Sequence, residues 1–376
     1  MFLRQLPRIF TWEDASSELI TLHDRFDLLL GERLGQLLSR LAPTTSASLA
    51  DEVTDLVAQL DNRDLAATLA VPEVSYRLLW PMHHGDVQAA GFIRDALCTA
   101  RAVALAMPVT PPAWLADGSG YIDDSGLVTS PWDRPGGLPV DFGSPHALAT
   151  DVSGERLRAP TPRPPLAQNE VRVVQMKLKA AADTIARLTP HAWRMTYDFT
   201  KAVILIPDLG APQQFSSGSS GQFIGRSVLA NAQLNKVTAV QVAEALLHEA
   251  IHAVLYMDEQ HDAWVLENDL YAGPMRITSP WTGNRLPLRP FLQAAFVWYG
   301  ILAFWSRVRT AGAFPDTDVR ARLNESAAGF LRGRLLDQIA SAIDRLSPEL
   351  VEAVDELQQD VQSAMGLAPF DMGLSS

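Results

Sequence analysis

The sequence predicts an α+β fold that is mainly helical. Apolar residues recur at three- and four-residue spacing over most of residues 13–105 and again beyond 168, which is the period of one buried helix face. Only two short β-type runs, KAVILI at 201–206 and FIGRSVLAN at 223–231, interrupt the helical pattern. Between them and the C-terminal helices lies one strongly apolar run, VAEALLHEAIHAVLYM, with two histidines four residues apart.

The chain divides into three regions. Residues 1–106 form an N-terminal helical region, with LITLHDRFDLLLGERLGQLLSRL and ASLADEVTDLVAQL as its clearest amphipathic stretches. Residues 107–167 are dense in Pro and Gly (PVTPPAW, SPWDRPGGLPVDFGSP, APTPRPPL) and predict a long irregular connection. Its Trp and Phe residues suit a lid or a substrate-contacting arm better than a plain linker. Residues 168–376 open on an amphipathic helix at 170–188 and contain both strands. Thr238 and Gln241 make a T-x-x-Q capping box at the start of the next helix. A Pro-punctuated segment, SPWTGNRLPLRP, leads into an apolar helix at 291–308, and a last amphipathic helix spans about 334–365.

Composition narrows the function classes. Acidic residues outnumber basic ones 43 to 31, a net charge of −12, which repels nucleic acid and anionic membranes. The single cysteine, Cys98, excludes an internal disulfide and suits a reducing cytoplasm. The first residues lack the apolar core of a signal peptide. The apolar stretch at 291–305 contains Gln293 and Gly300 and is expected to be a core helix rather than a membrane span.

HEAIH, at 248–252, carries the chemistry. On a helix, His248 and His252 share one face, where two neutral imidazoles grip one divalent metal ion. The run is apolar on nearly every side, which predicts burial of both imidazoles and of Glu249. Buried groups of this kind need partners, and a metal supplies one for each histidine. The competing reading is two core histidines held by backbone carbonyls.

The third ligand is open among Asp258, Glu259, His261, Glu267 and Asp269, and Gln293 on the following helix is a further possibility. Glu259 is favoured. It lies about 10 Å along the axis from His252, so it ligates only if the helix bends or ends near Met257. Two chemistries fit. Zinc with a bound water and Glu249 as general base gives peptide hydrolysis. Fe(II) held by two His and a carboxylate, with 2-oxo acid and dioxygen at the open positions, gives oxygenation.

The order of strand AVILIP, the Ser-rich turn into FSSGSSGQFIGRSVLAN, helix ALLHEAIHAVLYM and SPWTGNRLPLRPFLQAAFVWYGILAFW resembles the HExxH-type peptide-modification family of ribosomally made peptide natural products. The resemblance covers roughly residues 165–310, and more faintly the helical start through VPEVSYRLLWP. It implies a zincin-like catalytic region and an Fe(II)- and 2-oxoglutarate-dependent peptide β-hydroxylase, with a precursor peptide and dioxygen as partners. By the same resemblance His248 and His252 are metal ligands, Glu249 is an active-site carboxylate and Arg289 is a functional arginine. A guanidinium also suits the distal carboxylate of 2-oxoglutarate, with Arg285 and Arg276 as alternatives. Position 293 is Gln here, where some relatives are expected to carry His. The alternatives are a cytoplasmic zinc metallopeptidase with Glu249 as base, and a non-catalytic peptide-binding protein.

Other features have structural readings. His83 and His84 follow Pro81 in a turn expected at the surface. Ser216, Ser217, Ser219 and Ser220 form a strand-edge loop without the lysine of a nucleotide-binding loop. FIGRSVLAN is read as an ordinary sheet strand, with edge pairing to a peptide as the functional alternative. Trp298 and Trp305 are expected in the core.

Overall fold

The computed structural model describes residues 2–105, 107, 113–122, 128–129, 137–157, 165–266, 275–312, 314 and 316–366. The fold is mainly helical with small sheets, as the periodicity predicts. Two compact units emerge. One comprises Met1–Leu22, Ile185–Met195 and Val254–Ser376, the other His23–Thr184 and Thr196–Ala253.

The second unit contains the principal sheet. Its strands are β1 (Val140–Asp141), β2 (Ala202–Ile206), β3 (Ser216–Gly218) and β4 (Arg226–Ala230), in the order β1-β2-β4-β3. β1, β2 and β4 run parallel, and β3 runs antiparallel to β4 as an edge strand. Every residue of β2 and β4 is buried, as the continuous apolar run of β2 requires, although β4 carries Arg226 and Ser227. FIGRSVLAN thus supplies an internal strand, so its edges are already paired, and the edge strands are β1 and β3.

Successive side chains of a strand point to opposite faces. On one face Ala202, Ile204, Ile206, Val228 and Ala230 pack with Ala147 and Val152. On the other, Ser217 stands opposite Leu229. Asn231 ends β4 in a left-handed conformation (φ 60°). Its amide donates to Ala211 O and Gln214 O, and its Oδ1 accepts from Asp208 N, which ties down the β2–β3 connection. Elsewhere in this unit, Ala47–Gln59, Asn62–Leu69 and Pro72–Leu79 pack on helix Asp86–Leu105. The Pro/Gly-rich connection supplies β1, which its composition does not betray, and a three-stranded ribbon of Ala113–Trp114, Tyr121–Ile122 and Val128–Thr129. The remainder of that connection lies mostly outside the described residues.

In the first unit the apolar helix runs Leu288–Ala311 and ends on left-handed Gly312. It packs on Asp316–Leu331, a helix the sequence reading lacks, and on Pro348–Ala364. Among the described helices it is the one long and apolar enough to cross a membrane, and 67% of its apolar window is buried within the protein. That is the behaviour expected of a core helix. Trp305 is buried, while Trp298 is half-exposed and stacks on Trp281 at 6.2 Å. The expected final helix at 334–365 is broken. A 3-10 stretch, Leu335–Arg345, gives way to Pro348–Ala364, whose first turn is capped by Ser347 accepting from Leu350 N.

SPWTGNRLPLRP forms a tight hairpin, Ile277–Thr278 pairing with Arg285–Leu286. Trp281 at its tip donates to Ser326 O at 2.8 Å and lies flat against Gly329. A Cβ at Gly329 would stand 2.1 Å from this ring. Gly329→Ala is therefore expected to cost about 1–3 kcal/mol through overpacking. Gly91, in the interior of a helix with open space around it, should instead gain up to about 1 kcal/mol as Ala. Urea denaturation of the two variants checks the contrast, and equal shifts would contradict the packing.

Candidate metal centre

The HEAIH helix spans Ala239–Glu259. The capping box forms as its sequence predicts: Thr238 N donates to Gln241 Oε1 at 3.0 Å, and Gln241 N donates to Thr238 Oγ1 at 3.3 Å. Leu246, Leu247, Ala250, Ile251, Val254 and Leu255 are fully buried. Each large apolar side chain contributes about 1.5–3 kcal/mol of burial, so the rotation of the helix about its axis is fixed.

Within 241–253 that rotation leaves one accessible stripe. Gln241, Glu244, His248 and His252 retain partial exposure while the residues between them are buried. Spacings of three and four put the stripe on one face. The expected burial of the imidazoles holds in part: His248 and His252 are half-buried, while the other sides of the helix are fully buried. The His248 and His252 ring centroids are 5.1 Å apart, with planes tilted by 54°. Burial pushes the His248 imidazole down to about 4. At neutral pH the His248 side chain is thus the neutral imidazole that a metal requires.

Glu249 is the buried member of the motif, at 2% exposure. Its Oε1 accepts a 2.6 Å hydrogen bond from Ser217 Oγ on edge strand β3. The sequence reading left Ser217 in a plain loop, since Ser-Ser-Gly carries no apolar alternation. Its pairing with Leu229 of β4 places it opposite the helix.

The other expected site residues meet one another. The helix continues unbroken to Glu259, so the bend that would carry this carboxylate back toward the histidines is not formed. Glu259 is contacted by Arg289 Nε and accepts from Gln293 Nε2 at 2.8 Å. Arg289 also lies over the Tyr256 ring, 5.1 Å from its centroid. It belongs to the first turn of Leu288–Ala311 rather than to the segment before it. Asp258 accepts from Trp264 Nε1 at 2.9 Å. Arg276 and Arg285 are exposed in the hairpin. Glu267 and Asp269 lie outside the described residues.

Two imidazoles one helical turn apart on one half-buried face fit a divalent metal. Among the described residues no group of three His, Cys, Asp or Glu side chains converges on one point. A scan for known protein families and a search of characterised proteins return no match. The site is therefore argued from its own geometry.

Burial pushes the Glu259 carboxyl from its ordinary 4.5 up to about 7, against the weaker downward pull of Arg289 and Gln293. Between these values the folded chain holds a proton that the unfolded chain has released. Stability therefore falls as pH rises through about 4.5–7. Glu259→Gln is expected to flatten this slope, which is on the order of 2 kcal/mol. Urea unfolding at pH 5 and pH 8 measures it, and an unchanged slope would refute the assignment.

Proposed function

We propose that the protein is a cytoplasmic Fe(II)- and 2-oxoglutarate-dependent oxygenase with a zincin-like catalytic region. It hydroxylates a side-chain carbon of a ribosomally made precursor peptide. His248 and His252 would hold the metal. The bound Fe(II) supplies the oxidising chemistry that couples 2-oxoglutarate, dioxygen and a C–H bond to succinate, carbon dioxide and a C–OH group. The support is the half-buried histidine stripe on one helix face, together with the resemblance of the flanking segments to HExxH-type peptide-modification proteins.

The observation that favours oxygenation over peptide hydrolysis is the position of Glu249. A hydrolytic base must present its carboxylate to a reacting water. Glu249 is 2% exposed, and one of its two oxygens is committed to Ser217. Its role is to fix the helix against β3 and to orient polar groups beside the histidines. Glu259 is held by Arg289 and Gln293, so the third ligand is unassigned. A cosubstrate carboxylate at Arg289 would share its guanidinium with Glu259, which contacts Nε. Zinc peptidase chemistry remains the second reading, because the two histidines suit zinc equally well.

Anaerobic addition of Fe(II) and 2-oxoglutarate is expected to produce a weak visible charge-transfer band that is lost in His248→Ala. Glu249→Gln should keep the band. Absence of the band, with tight zinc binding and a peptide cleavage lost in Glu249→Gln, would establish the peptidase instead. Ser217→Ala leaves the buried Glu249 oxygen without its donor, and a stability loss of about 1–3 kcal/mol is expected. Thermal or urea unfolding measures this independently of activity.

A further inference from the structure

Arg226 is a charged residue within an otherwise apolar internal strand, and it leads to a second polar centre. By strand alternation Arg226 shares a face with Val228 and Ala230, whereas Ser217 and Glu249 belong to the other face. Arg226 is 2% exposed. It contacts Glu73, as do Arg156 and Arg77, the last at 2.9 Å. His146 Nδ1 approaches the same carboxylate at 3.8 Å. One carboxylate with 3% side-chain exposure thus faces three guanidiniums. The neighbouring acids have their own donors: Glu155 accepts from Ser220, and Asp141 accepts from Ser144 and Gly143.

A guanidinium cannot shed its charge, and a buried cation short of acceptors costs several kcal/mol. Aromatic rings reduce the access of water further. Arg226 lies 3.9 Å above the Phe223 ring, and Arg77 lies 3.6 Å above Phe92. Two buried nitrogen atoms are left without hydrogen-bond partners, Arg226 Nε and His84 Nε2. Arg77 and Arg156 both help burial to lower the pKa of His84, which places it within their field. Besides the Glu73 carboxylate, Arg226 Nη1 donates to Thr150 Oγ1 at 3.3 Å and Arg77 Nη1 to Glu73 O, but among the described residues Arg226 Nε finds no acceptor. The way into the cluster is Arg156, whose side chain is 38% exposed against 10% for Arg77.

We infer that the Arg77–Arg156–Arg226 cluster beside Glu73 is a binding site for a small oxyanionic ligand, separate from the histidine stripe. Its guanidiniums suit either a carboxylate or a phosphate group. The ligand enters at Arg156 and takes up donors that Glu73 leaves unused. An anion here sits across the sheet from Glu249, so it is an effector or a second substrate group rather than a metal ligand.

Calorimetric titration of the full-length protein at fixed ionic strength in chloride, with malonate and separately with inorganic phosphate, tests this and needs no enzymatic activity. Saturable one-to-one binding of at least one anion is expected, and which one binds identifies its source. Arg156→Gln should weaken it by roughly tenfold or more, and His248→Ala should leave it unchanged. Arg156→Lys, which keeps the charge and loses the fork, should also weaken it and serves if the Gln variant does not fold. Absence of saturable binding, binding indifferent to both Arg156 variants, or binding lost with His248 would each overturn the inference. Failure of the oxygenase reading would leave it untouched.

Discussion

The apolar residues of the HEAIH helix are sunk in the core, and this burial decides what the remaining residues can do. Leu246, Leu247, Ile251 and Val254 leave no freedom of rotation. The stripe of Gln241, Glu244, His248 and His252 is then the half-buried face, and Glu249 is buried. A buried carboxylate needs a donor. Ser217 supplies it from β3, and β3 is itself held in place by its register with β4. The chemistry of the stripe thus depends on a packing decision made by the apolar side chains of the same helix.

The four-stranded sheet separates two polar systems. One face carries Ser217 and, beyond it, Glu249. The other carries Arg226 with Glu73 and two further arginines. The side chains of a strand point to opposite faces and the strands are buried, so each system needs its own partners. Glu259 and Arg289 form a third system at the end of the HEAIH helix and the start of Leu288–Ala311. A residue type suited to a metal, or to a cosubstrate carboxylate, is here engaged by a protein partner.

Much of this was legible in the chain. The strand at 201–206, the amphipathic helix before it and the capping box at Thr238 and Gln241 follow from local periodicity and cap chemistry, and all form. The histidine spacing correctly places both rings on one face. Other features escape because their signal is short or remote. Val140–Asp141 is too brief to show a period. Glu73 and Arg226 are separated by 153 positions, and nothing local announces their pairing. The break before Pro348 was readable, since Ser-Pro is a helix-start signal, but the apolar spacing on either side concealed it. Nothing local in the sequence announces that Arg289 meets Glu259.

The central claim is that His248 and His252, on one half-buried face of the helix, form the core of a metal site. Equilibrium dialysis against Fe(II) under anaerobic conditions, with metal content measured per chain, tests it most directly. The account predicts one tightly held ion per chain, with affinity collapsing in both His248→Ala and His252→Ala while the helical circular dichroism persists. Full metal content retained in either folded variant would contradict it.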